Sequence, residues 1–155
     1  MRRPVRTLII ASLVASFIAG FSAAASAATT PADAIKYRKA VMDGLAAHVG
    51  AFVLINFGKV EHQEYLKGHT DALANLGAQG KVLFPAGTDT GDTDALPLIW
   101  KEPEQFNKLI TELETSSAKL RDAVAANDKP GAMAAFKALG ESCKGCHDRY
   151  RKKDD

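Results

Sequence analysis

The sequence predicts an all-α fold, an antiparallel four-helix bundle. Apolar residues recur at alternating spacings of three and four along four stretches, the period of helices buried on one face. The connections between those stretches run short, long and short, which folds each helix back against its neighbour. The chain beyond residue 27 holds about 128 residues, enough for one small domain with one core. Of the seven Phe in the full chain five lie beyond residue 27, and with three Tyr and one Trp among many Ala and Leu they suit helix packing. A prosthetic group would add apolar surface to bury.

Residues 1–27 read as an address rather than part of the fold. Arg2, Arg3 and Arg6 form a basic start, and Leu8 to Phe21 is an apolar run too short to span a membrane comfortably. Ala25-Ser26-Ala27 is a small-residue cleavage site, which makes Ala28 the mature N-terminus and residues 28–155 the domain. A retained N-terminal anchor is the competing reading. Cleavage would remove three arginines and no acid, leaving 17 basic against 18 acidic residues. A chain so nearly neutral has no basic stripe for nucleic acid or an anionic membrane.

The first helix opens at Thr29-Thr30-Pro31, a capping residue followed by proline, and runs to about Phe57. Its inward line is Ile35, Arg38, Met42, Leu45, Val49 and Phe52, widened by Val41, His48 and Ile55. Arg38 is wrong for a core: a charge there must meet a counter-charge or leave the bundle. Gly58-Lys59-Val60 ends the helix. A second runs from about Glu61 to Leu76, with Leu66, His69, Leu73 and Leu76 on one face. His48 belongs at a helix contact or a dimer surface, and His62 and His69, seven apart, are too distant for one metal site.

Periodicity then stops. Gly77 to Pro97 holds four glycines and two prolines, a loop long enough to be a functional cover, with Phe84 its most apolar point. Trp100 reads as a staple onto the third helix. That helix starts at Glu102-Pro103 and turns Phe106, Leu109, Ile110, Leu113, Leu120 and Val124 inward. Asn127-Asp128-Lys129-Pro130 is a turn. The fourth helix covers Gly131 to about Arg151, its predicted inner line being Met133, Phe136, Gly140, Cys143, His147 and Tyr150.

That last line contains Cys143-Lys144-Gly145-Cys146-His147, the attachment pattern of a c-type haem. Two thioether bonds to haem vinyl groups need sulfurs about one helical turn apart, and the next side chain must bring an imidazole under the iron. Both cysteines of the chain are used. A thioredoxin-type redox pair would sit at a helix N-terminus after a strand, and no strand precedes this one. A disulfide within one helical turn would be strained, and a zinc site would want a second ligand pair. The fold expectation is therefore a four-helix bundle with one covalently bound haem c. Export agrees with it, since such haems are attached outside the cytoplasm, and places the protein in the periplasm with no membrane anchor after processing.

The mature chain resembles cytochrome c′ and its close relatives, the class II c-type cytochromes. Ile35-Lys36-Tyr37-Arg38, Leu83-Phe84-Pro85-Ala86-Gly87-Thr88, Ala95-Leu96-Pro97-Leu98-Ile99-Trp100 and Cys143 through Arg151 carry the likeness. The attachment motif near the C-terminus is its main sign. The resemblance implies that Cys143 and Cys146 hold the haem and that His147 is the solvent-side axial ligand. It places Arg38 near a propionate, Arg151 near the proximal face, Met42 on the distal side of the iron and Phe84 in the distal pocket.

Two functions follow from it. In one, Met42 fills the distal space without binding, the iron is five-coordinate, and NO or CO can enter while the protein also takes part in electron transfer. In the other, Met42 is the sixth ligand and the protein is a one-electron carrier. Peroxidase-like turnover is poorly supported, because no distal acid–base residue is visible, and no enzyme activity is expected. The partners implied are redox proteins, steered by Lys36, Lys39 and the basic residues near the exposed haem edge. A homodimer through the first two helices, using Val41, His48 and Ile55, is compatible with the pattern.

Overall fold

A computed structural model describes residues 28–153, so the expected export segment lies outside the described residues. Five helices follow in order: α1 (Pro31–Asn56), α2 (Leu66–Gly77), the one-turn α3 (Leu98–Lys101), α4 (Pro103–Ala125) and α5 (Lys129–Tyr150). The four long ones form the bundle, with α4 against both α2 and α5, and α1 against α2. The two ends of the series, α1 and α5, meet where the Phe52 and Phe136 rings lie 4.8 Å apart.

Local chemistry sets the helix ends. The Thr30 hydroxyl accepts from the Asp33 amide at 3.1 Å and starts α1. At its other end Gly58 takes φ +65°, and the Lys59 amide reaches back to the Leu54 carbonyl at 2.8 Å. The same closing motif recurs after α4, with Asn127 at φ 54° and the Asp128 amide on the Ala123 carbonyl. Asp128 then caps α5 by accepting from the Gly131 amide, so α5 begins two residues earlier than predicted, with Pro130 in its first turn.

The second helix is shorter than its pattern. Gln63–Tyr65 form a 3-10 turn and α2 starts at Leu66, which leaves His62 off the helix altogether. Gln63 donates to the Ile55 carbonyl at 2.8 Å, and that bond ties the turn to α1. At the far end α2 runs close to α4: a Cβ on Gly77 would meet the Ser117 hydroxyl at 2.5 Å, and one on Gly80 would meet Ile110 at 2.8 Å.

The inner face of α1 buries Ile35, Arg38, Val41, Leu45, Phe52 and Ile55. Val41 and Ile55 are thus taken up by the chain's own core, so they offer no dimer face; the apolar residues that α1 leaves outside include Tyr37 and Leu54. By length and composition alone α1 is apolar enough to cross a membrane, but here its inner stripe packs into the bundle. The last helix is turned by about one residue from the predicted line. Ala132, Ala135, Leu139, Ser142 and Tyr150 are buried, whereas Met133, Gly140 and His147 are exposed. Small side chains let α5 lie close to α4, and the predicted line becomes the edge of that contact.

Candidate haem site

Beyond Phe52 and Phe136 the two outer helices enclose a cleft of about 360 Å³, within the usual range for a ligand pocket. From α1 it is lined by Arg38, Lys39, Met42, Asp43 and Ala46; from the end of α5 by Cys146, His147, Tyr150 and Arg151. Phe84, Thr93, Asp94, Ala95 and Ile99 close it from the long connection. Of the seven residues that the resemblance assigns to the haem, only Cys143 is not in this lining; it packs one turn back against the main core.

Arg38 is 4% exposed. Its guanidinium donates to the Thr88 hydroxyl (3.0 Å), the Thr93 hydroxyl (2.6 Å) and the carbonyls of Thr88 (3.2 Å) and Leu83 (3.4 Å). It also lies 4.8 Å from the centre of the Phe84 ring, a cation–π contact. The expected counter-charge is therefore replaced, within the protein, by four neutral acceptors on the connection. Burial lowers the Arg38 pKa, but a guanidinium keeps its charge in proteins. A fixed positive group in the wall of a cleft is a seat for a carboxylate.

The Phe84 backbone carbonyl accepts from the Trp100 indole at 3.2 Å, and the Phe84 ring stands edge-on to Phe106 at 4.8 Å. Phe106 in turn stands edge-on to Tyr150 at 5.3 Å. Aromatic contacts thus run from the loop through α4 to the last turn of α5. Trp100 staples the loop as well as the third long helix, which was not foreseen. Tyr150 and Arg149 both donate to Glu102, fixing the end of α5 against the start of α4. The chain leaving α5 is tied to the loop by Leu96 N–H to Tyr150 O and Lys152 N–H to Asp94 O, each 2.8 Å.

Replacing Arg38 by Leu should release this loop. The carbonyls of Leu83 and Thr88 lose their donor, at a cost of about 3 kcal/mol in unfolding free energy. Urea unfolding would read that loss, and limited proteolysis would show new cleavage within residues 85–93. An unchanged midpoint and an intact loop would mean that Arg38 does not hold it.

The motif itself sits in the body of α5, not at a helix start. Cys143 and Cys146 form no disulfide with each other, and burial raises the pKa of each, that of Cys146 to about 11. Redox-active pairs have depressed pKa values, so this is not their environment. Among the described residues no group of three or more His, Cys, Asp or Glu is placed to hold a metal ion, which also sets aside a zinc centre built on the two thiols. His147 keeps solvent access, yet the atoms packed around it, and then the charge of Arg151, lower its pKa. A neutral imidazole is the form that binds iron.

The donor set fits a haem c: two thiols one helical turn apart, an imidazole next to the second, an apolar wall opposite, and a buried cation for a carboxylate. Fold and site together define a helical-bundle haem protein of the c type. The family model described as Cytochrome C' matches residues 33–151. Cytochrome c' of Alcaligenes xylosoxydans xylosoxydans is 35% identical over 124 residues, covering 79% of this chain and 96% of that protein. Among solved structures, cytochrome c prime from Shewanella frigidimarina superposes with a TM-score of 0.75 at 35% identity, covering 80% of this chain and 98% of that one. A carbon-monoxide-bound variant of cytochrome c prime from Alcaligenes xylosoxidans gives 0.73 at 34% identity, covering 81% and 98%. The chain belongs to the cytochrome c′ family, whose proteins carry a covalently attached haem c.

Proposed function

We propose that this protein is an exported cytochrome c′ that binds NO or CO at a five-coordinate haem and also takes part in electron transfer. The observation that carries the reading is the cleft: Cys146 and His147 line it from α5 while Met42, Ala46 and Phe84 line it from the other side. In this reading Cys143 and Cys146 hold the haem by thioether bonds and His147 supplies the axial nitrogen. Arg38 faces a propionate, and Arg151 stands beside the histidine. When bound, the haem supplies an iron centre that can take a diatomic ligand or pass one electron.

The residues facing His147 do the selecting. Met42, Ala46 and Phe84 present hydrocarbon, thioether sulfur and ring carbon, so a water molecule held among these three side chains would lack partners. A small neutral diatomic needs none. The carbon-monoxide-bound relative supports the same reading. The ionisable residues on the α1 wall are Arg38, bonded to the connection, Lys39, paired with Asp92, and Asp43; no turnover of an organic substrate is proposed. The export segment, residues 1–27, would direct residues 28–155 to the periplasm, where the haem is attached and redox partners are met.

The Met42 thioether supports a second reading. As a sixth ligand to iron it would close the pocket and leave a plain one-electron carrier. The ferrous spectrum decides between them. A broad Soret band that sharpens on adding CO is expected; a narrow alpha band that CO does not move would overturn gas binding in favour of the carrier.

A further inference from the structure

Two histidines away from the haem cleft face each other across the α1–α2 contact. The Nδ1 atoms of His48 and His69 are 2.9 Å apart, their ring centres are 5.2 Å apart and their planes are inclined by 53°. Both side chains are half-buried, and neither lines the cleft. At that separation one Nδ1 must carry the proton and the other its lone pair, so two ligand atoms already point at a single shared proton. We propose that this pair is a zinc-type metal site, in which a divalent borderline metal ion replaces the shared proton and bridges α1 to α2.

The geometry is close to what such an ion needs. Imidazole nitrogen binds Zn²⁺ at about 2.0–2.1 Å, and a tetrahedral angle then sets the two nitrogens about 3.3 Å apart. Opening the present contact by a few tenths of an ångström reaches that value, a shift well within side-chain rotation. The helices hold the rings in place beforehand: Gly44, one turn before His48, lies against Leu76, and Gln63 is bonded to the Ile55 carbonyl. The protein offers two ligands, with no third His, Cys, Asp or Glu gathered among the described residues. Water would complete the coordination, and solvent reaches both rings. Imidazole pairs suit Zn²⁺, Cu²⁺ and Ni²⁺ over Mg²⁺ or Ca²⁺.

Calorimetric titration of the haem-loaded protein with Zn²⁺ tests the site, since this ion cannot exchange electrons with the haem. One equivalent should bind without moving the Soret band. His48→Ala and His69→Ala should each weaken binding about tenfold or more. His48→Gln, which keeps a hydrogen-bonding group at the position, should do the same while its helical circular dichroism stays that of the wild type. His62→Ala removes an exposed ring outside the pair and should change nothing. Absence of binding by the wild type, retention in His48→Gln and His69→Ala, equal loss in His62→Ala, or a Soret shift on adding zinc would each overturn the proposal.

Discussion

Cys146→Ala is expected to yield protein that holds its haem by one bond or loses it, and that melts far below the wild type. The sulfur itself contributes little. The large effect comes from the cleft: without the porphyrin, Met42, Ala46, Phe84 and Ile99 would line a water-filled gap between α1 and α5. Filling it buries the apolar wall and the porphyrin faces that meet it, together on the order of 300 Å², which at about 25 cal/mol per Å² is about 7 kcal/mol. That is comparable with the whole stability of a small domain, about 5–15 kcal/mol. Complete loss should therefore lower the melting temperature by roughly 20 °C or more. Intact mass gives the haem content and circular dichroism the melt. Haem-free protein with a wild-type melt would show that the bundle does not depend on the porphyrin, and bare thiols in the wild type would remove the haem assignment itself.

Met42→Ala should leave a five-coordinate protein five-coordinate while CO enters about tenfold faster or more, a barrier lowered by about 1.4 kcal/mol. Met42 is half-buried on α1 and packs against the main core, so truncation opens space on the wall that faces His147. Stopped-flow mixing of the ferrous protein with CO measures the rate. If Met42 is instead an iron ligand, the same change converts a low-spin spectrum to a high-spin one. Identical spectrum and identical CO rate would take Met42 out of the distal site. The two substitutions report on different links: Cys146 on whether the group is held, Met42 on what can reach it.

Much of the bundle was legible because helices announce themselves locally. Thr30 with Pro31, Gly58 after Phe57 and Asn127-Asp128 each mark a helix end through backbone chemistry within a few residues. The inner line of α1 was readable because Ile, Leu and Phe recur along it. The inner line of α5 was misplaced by one residue, because three of its five buried residues are the small Ala132, Ala135 and Ser142. Small residues carry little hydropathy signal, yet they are what lets two helices approach. The start of α2 was placed five residues early, since a 3-10 turn has nearly the spacing of an α-helix.

Arg38 stood out in the sequence as a charge in an apolar line, but its partners did not. Thr88 and Thr93 lie 50 and 55 residues away in a connection with no periodicity to register them. His48 and His69 are 21 residues apart, and as separate residues in two patterns they gave no sign of sharing a proton.

The amino-acid order alone determined the four long helices and the Cys-x-x-Cys-His spacing, because both depend on residues within a turn or two of one another. Where α1 and α5 separate, and which side chains of α1 and the long loop face His147 across the gap, depended on the folded chain. That space is set by small-residue contacts between α4 and α5 and by Arg38 drawing the loop inward, interactions between segments far apart along the chain.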